Sequence, residues 1–200
     1  MPCRVKEEKM TALNPRTKLL RWYRKHARVL PWRSRPEPWA VLVSELMLQQ
    51  TQVKTVLPRF VPFMTQFPSP QAMVDAGEEA VIAAWAGLGY YRRARSLHAA
   101  ACAIVAEHGG KVPADLDALR QLKGVGAYTA AAVGSIAYGL EAAVVDGNVE
   151  RVLARFYAVE DPARQAAGKR RIEDLRLMIT KKLNLMNLIT MAMIMIIIYH

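Results

Sequence analysis

The sequence predicts an all-α fold. Apolar residues recur at helical spacing in segment after segment from Pro15 onward, no run alternates with the period of two that marks a strand, and short Gly- and Pro-rich stretches separate the periodic segments. On this spacing, helices fall at 15–28, 38–50, 52–66, 71–76, 78–85, 91–108, 115–121, 127–138 and 147–157. Pro15 suits a first-turn position after Asn14, where a missing N–H costs nothing. Pro58 and Pro62 should kink or split the third helix, because each removes a donor from its interior. The connections read as Pro68-Ser69-Pro70, Gly87-Leu88-Gly89, His108-Gly109-Gly110 and Gly124-Val125-Gly126.

Two hundred residues, 52% of them hydrophobic, are enough for a packed core of one large or two small domains. The chain carries 28 Lys and Arg against 17 Asp and Glu, a net charge of +11. Residues 1–160 alone hold 21 basic and 14 acidic residues, so +7 belongs to the body of the protein. That balance points to a polyanionic partner, with DNA, RNA and anionic lipid all open, more than to an acidic small molecule. Cys3 and Cys102 stand too far apart for a metal-ligand cluster or a disulfide framework, which suits a reducing compartment. The first 18 residues are charged throughout and hold no apolar stretch, so no secretion signal is read there and a cytoplasmic location is expected. The uncharged run Leu183–Tyr199 differs in kind from the rest. At 17 residues it falls short of the ~20 that a membrane-spanning helix needs, which leaves a core helix or a non-native end.

Four segments can carry chemistry. Leu122-Lys123-Gly124-Val125-Gly126-Ala127-Tyr128 joins a short amphipathic helix to an Ala-rich one through a Gly-x-Gly turn. Such a turn brings backbone close to a ligand and aims unpaired helix N–H groups at it, though an ordinary helix–helix turn has the same letters. In the segment Val41–Gln52, Glu45 is the one charge on an otherwise apolar helix with a narrow polar stripe of Ser44, Glu45, Gln49 and Gln52. A solvated stripe explains it as well as a cleft carboxyl whose raised pKa suits a general acid. Asp146 precedes the helix that starts after Gly147-Asn148, as a cap or as a carboxylate kept ionised by the same N–H bonds. One protonated and one ionised carboxyl in one cleft is the arrangement that glycoside cleavage commonly uses. Finally, Gly87-Leu88-Gly89-Tyr90-Tyr91-Arg92-Arg93-Ala94-Arg95 sets two rings and three guanidinium groups at a glycine-bounded loop, where they can stack on bases and bind phosphate or simply be core and solvated surface.

Pro31-Trp32-Arg33, Ser44–Val53 (SELMLQQTQV), Gly87–Tyr91 (GLGYY), Leu122–Ala130 (LKGVGAYTA) and Val145–Arg155 (VDGNVERVLAR) together resemble the MutY-type adenine DNA glycosylases of the helix-hairpin-helix glycosylase superfamily. The resemblance runs from about Leu20 to about Asp161. It implies a six-helix lobe carrying the hairpin, packed on a partial second helical lobe. It also implies base-excision repair, in which adenine mispaired with oxidised guanine or guanine in double-stranded DNA is flipped out and its N-glycosidic bond hydrolysed. By that resemblance Glu45 protonates adenine, Asp146 stabilises the sugar cation, and Tyr128 and Asn148 assist. Trp32 and Arg33 fall at the adenine pocket, and Gln50 and Tyr90 match positions that wedge into the base stack. Gly124, Gly126, Arg92, Arg93 and Arg95 would hold the backbone of a DNA bound by a monomer. Endonuclease III-like relatives carry a Lys at position 128, which forms a Schiff base with the sugar; a Tyr cannot.

The family pattern continues to four cysteines that bind a [4Fe-4S] cluster, and no Cys follows Cys102 here. The chain is therefore divided into an extension over 1–19, a glycosylase domain over 20–161 and an atypical tail over 162–200 that lacks the iron–sulfur and lesion-recognition regions. A non-catalytic DNA-binding remnant and a thymine or oxidised-pyrimidine glycosylase are the competing readings.

Overall fold

A computed structural model describes residues 15–34 and 36–142, together with Arg151 and Arg155, which are helical and exposed. The described residues form eight helices and no strand: α1 Pro15–His26, α2 Pro31–Ser34, α3 Pro38–Leu48, α4 Val53–Gln66, α5 Pro70–Ala84, α6 Arg92–His108, α7 Leu116–Gln121 and α8 Ala127–Tyr138. The all-α expectation holds.

α3 is the hub. It packs against α2, α4, α6 and α8, while α5 lies along α6 and α7 along α8. Contact on so many sides is why α3 is apolar all round: Val41, Leu42, Val43, Leu46 and Met47 are at most 1% exposed. Each such side chain contributes about 1.5–3 kcal/mol by leaving water. α3 begins at Pro38, whose lacking N–H falls at a position with no intrahelical acceptor.

Aromatic side chains fill the side of the core toward α4. Phe63 meets Phe67 edge-on at 4.8 Å and Trp85 at 5.7 Å, and the Trp39 indole donates to the Phe67 carbonyl at 3.0 Å. α4 runs unbroken through Pro58 and Pro62, which corrects the expectation of a split. Both prolines sit on the exposed face, where carbonyls deprived of a partner meet water. Ser69 caps α5 by accepting from the Ala72 N–H at 3.1 Å, and Pro70 takes the first turn. The helical backbone of α5 breaks at Gly77, whose φ of 81° and ψ of 161° are not helical, so α5 is two helices meeting at a kink, as expected from the sequence. The single turn α2 falls outside every expected helix. It is held by the Arg33 and Ser34 N–H groups donating to the Leu30 carbonyl. The helix expected at 147–157 lies almost wholly outside the described residues, as does the run Leu183–Tyr199. No helix among the described residues is long and apolar enough to cross a membrane.

Candidate functional site

The hairpin is α7, the turn Leu122–Gly126, and α8. Asp115 caps α7 by accepting from the Asp117 and Ala118 N–H groups, at 3.1 and 2.8 Å. Leu122 and Val125 turn inward as its two apolar anchors, and the Val125 N–H closes the turn on the Leu122 carbonyl. Gly124 has φ +79°, and a Cβ placed on it would come within 2.7 Å of the Ser96 Cβ. Both the backbone angle and the approach of α6 therefore require a glycine. Gly126 is exposed, with open space around its Cα, and no side chain caps the first turn of α8.

The turn forms one wall of a groove of about 720 Å³ lined by Leu46, Gln49, Gln50, Tyr90, Tyr91, Arg92, Arg93, Ser96, Lys123 and Gly124. Three segments distant in sequence thus meet: the end of α3, the loop 87–91 and the hairpin. Gln49 links two of them, its amide donating to the Gly124 carbonyl and the Thr129 hydroxyl, both at 3.4 Å. Gln50 and Tyr90 share the groove, and each has a left-handed backbone, φ 56° and φ 47°. They are the two non-glycine residues with positive φ among the described residues. Tyr90 is 62% exposed, so its ring stands out from the surface.

The three arginines after Tyr91 go separate ways. Arg92 is exposed and faces the groove, and Arg95 is exposed with its Nε 3.6 Å from the Glu78 carboxylate. Arg93 is 8% exposed, with its guanidinium turned onto oxygens of the protein itself and its Cζ 5.4 Å from the ring centroids of Trp85 and Tyr90. Burial pushes its pKa down from the ordinary arginine value, with Tyr90 opposing. The expected phosphate contact from Arg93 therefore gives way to a structural one. The signal was in the sequence: Arg93 shares a face with Leu97, Ala100 and Ile104 at spacings of 4, 7 and 11, whereas Arg92 and Arg95 lie off that face.

Glu45 lies near the C-terminal end of α3, one residue before Leu46 of the groove. The residue as a whole is half-buried, and burial of its carboxyl raises the pKa from 4.5 to about 7, with the positive charge of Arg33 offsetting part of the rise. At neutral pH it is therefore about half protonated, the condition for a general acid. Ser44, 1% exposed and donating to the Val41 carbonyl at 2.8 Å, shows that the polar stripe is buried at this end, whereas Gln52 at its other end is exposed. Arg33 is half-buried on α2. Trp32 is 4% exposed and packs edge-on against Phe60 at 4.9 Å, so it stands in the core and not at a pocket surface. Tyr128 is half-buried in the first turn of α8. Neither Glu45 nor Tyr128 is part of the groove lining. Asp146 and Asn148 lie outside the described residues.

A [4Fe-4S] cluster does not fit this chain. It needs about four thiolates, the sequence holds two cysteines, and no group of three or more His, Cys, Asp or Glu among the described residues is placed to hold a metal. Cys102 is half-buried on α6, its sulfur 4.0 Å from His98 Nδ1.

Two helices, α7 and α8, joined by a glycine turn, with α8 packed on the buried α3, form a helix-hairpin-helix arrangement. Residues 43–175 match the model of the HhH-GPD superfamily of base excision DNA repair proteins, and the chain belongs to that family. It is 48% identical to human adenine DNA glycosylase over 158 residues, 74% of this chain and 29% of that protein. It is 46% identical to adenine DNA glycosylase of Mycobacterium tuberculosis over 140 residues, 70% of this chain and 46% of that one. The Mycolicibacterium smegmatis enzyme is 45% identical over 78% of this chain and 53% of its own length. The chain thus spans between about a third and a half of these relatives. Among solved structures, a thermostable thymine-DNA glycosylase superposes with a TM-score of 0.73 at 24% identity, covering 88% of this chain and 83% of that one. A trapped endonuclease III–DNA covalent intermediate gives 0.73 at 22% identity, with 90% and 81% coverage. At such identity these two share the fold.

Proposed function

We propose that the chain is the catalytic part of a monofunctional adenine DNA glycosylase, acting as a monomer on adenine mispaired with oxidised guanine or guanine in double-stranded DNA. The observation that carries this reading is Glu45, a carboxyl with a pKa of about 7 on α3, the helix that packs against the hairpin's α8 and whose Leu46 lines the groove. The 45–48% identity to proteins named adenine DNA glycosylases supports adenine over the thymine or oxidised-pyrimidine alternative.

In the proposed mechanism the exposed Arg92, with Arg95 beside it, and the open first turn of α8 bind the phosphate backbone, while Gly124 and Gly126 let it come close. Gln50 and Tyr90 enter the stack as adenine leaves it. Protonated Glu45 gives its proton to adenine N7, the N-glycosidic bond breaks, and the base departs neutral. Asp146 as carboxylate stabilises the sugar cation until water adds at its C1′ carbon and gives its proton to the Glu45 carboxylate, which restores the acid, and Asn148 and Tyr128 assist. A phenol at position 128 offers no amine for Schiff-base chemistry, so the product is an intact strand with an abasic site.

The test is incubation of the purified chain with a duplex holding adenine opposite oxidised guanine, followed by alkali to reveal abasic sites. Glu45→Gln should lower excision by about 10²–10⁴-fold, the usual worth of a general acid, with duplex affinity retained within a few-fold. The unchanged chain should lose excision as pH rises through about 7, when Glu45 gives up its proton. Tight binding without alkali-labile sites would identify a DNA-binding chain without turnover, and normal excision by Glu45→Gln would end the assignment of the acid.

A further inference from the structure

The two loops that bear Gln50 and Tyr90 are bound to the same buried cation. Arg93 Nη1 donates to the Leu46 carbonyl at 3.0 Å, the Met47 carbonyl at 2.7 Å and the Gln49 carbonyl. Its Nη2 donates to the Thr51 hydroxyl at 2.9 Å and to the Leu88 and Gly89 carbonyls at 3.1 Å each. One nitrogen thus serves the end of α3, and the other spans to the loop 87–91. Gln50 stands between two of the acceptors, Gln49 and Thr51, and Tyr90 follows a third, Gly89. Both are the left-handed non-glycine residues, a conformation that persists only where the surroundings over-determine it. Among the described residues no ion pair is made by Arg93, so oxygen dipoles and the faces of Trp85 and Tyr90 answer its charge. A planar fork with five donors can hold two loops at once; an ammonium on a flexible stem cannot.

We propose that Arg93 is a positioning residue that locks the loops 48–52 and 87–91 into one rigid edge, so that Gln50 and Tyr90 are set at their left-handed angles before DNA arrives. The proposal rests on the reading of those two residues as the ones that enter the base stack. Its effect is on preorganisation: loops already fixed lose no freedom when the duplex is bound. The loop 87–91 is also braced by Arg59, whose Nε donates to the Ala86 carbonyl at 3.1 Å, by the Trp85 indole donating to the Gly89 carbonyl at 3.1 Å, and by a long bond of 3.5 Å from the Thr51 hydroxyl to the Leu88 carbonyl, so Arg93 supplies the main link to α3 and not the whole support.

The experiment compares the full chain with Arg93→Lys, Arg93→Met and Thr51→Val. Hydrogen exchange should rise by about ten-fold or more in residues 48–52 and 87–91 together in Arg93→Lys, with α5 and α6 unchanged. Exchange that rises in one loop alone, or in neither, overturns the coupling. Should the Arg93 variants fail to fold, Thr51→Val removes an acceptor of Nη2 together with the direct bond of the Thr51 hydroxyl to the Leu88 carbonyl at 3.5 Å; a bond that long adds little, so a rise of about ten-fold in exchange of the second, unmutated loop supports the link while its absence overturns it. A duplex with 2-aminopurine in place of the adenine reads the function. The unchanged chain should raise its fluorescence, and Arg93→Lys should bind within about three-fold yet lose most of that rise. An equal rise from Arg93→Lys overturns the positioning role. If the unchanged chain gives no rise, the base-flipping reading fails, and loop coupling is then decided by exchange alone.

Discussion

The hairpin turn and the paired loops 48–52 and 87–91 face one groove with left-handed backbone in each, and they reach it by different means. At Gly124 the residue type itself permits φ +79°, and the Ser96 Cβ, 2.7 Å from where a Cβ on residue 124 would stand, rejects anything larger. At Gln50 and Tyr90 the residue type opposes the angle, and bonds from elsewhere impose it. A site that needs only backbone near a ligand can use glycine at no conformational cost in the folded state. A site that needs a large side chain at the same angle must be held there by its surroundings, and strained residues of this kind concentrate where function demands them.

The contrast can be broken first at the hairpin. Gly124→Ala meets both the unfavourable φ and the contact with Ser96, and should lower stability by about 2–4 kcal/mol. Its neighbour Gly126 has an ordinary φ of −84° and open space, so Gly126→Ala should stay within ~0.5 kcal/mol. Equal thermal melts for the two variants would show that the turn does not constrain Gly124. A smaller effect of opposite sign is expected at Gln50. Gln50→Gly removes the side chain from a left-handed position and should raise stability by up to about 1 kcal/mol while reducing base extrusion. A variant both less stable and fully competent in 2-aminopurine fluorescence would show that Gln50 is neither strained nor a wedge.

The difference between the two regions also explains what the sequence reveals. Glycine spacing announces the hairpin, and a lone carboxylate in an apolar helix announces Glu45, because both signals are local. The degree to which Glu45 is buried is not local, since the neighbours that surround α3 come from four other helices. Adjacency groups Arg93 with Arg92 and Arg95, although its register with Leu97 and Ile104 separates it from them. Likeness puts Trp32 at the pocket, whereas its contact with Phe60 depends on how α2 and α4 meet. The intact α4 shows the same limit: whether a proline breaks a helix depends on which face it occupies, and that is decided by packing.

Glu45 finally ties the chemistry to the folding equilibrium. Its folded pKa of about 7 lies above the ordinary 4.5, so the folded chain holds this proton more tightly than the unfolded one. The stability gained from that proton is fully present below about pH 4.5 and is lost as pH rises through about 7. Since a tenfold change in proton affinity corresponds to about 1.4 kcal/mol, and the residue as a whole is only half-buried, the loss is on the order of 1–3 kcal/mol. Glu45→Gln keeps the shape and discards the titration. Its melting temperature should exceed that of the unchanged chain at pH 8, and the gap should close toward pH 5. A gap independent of pH would place the carboxyl in water. The acid is thus kept in the fold at a cost to alkaline stability, and the same burial that makes a proton available for the base makes the empty carboxylate an unwelcome core residue.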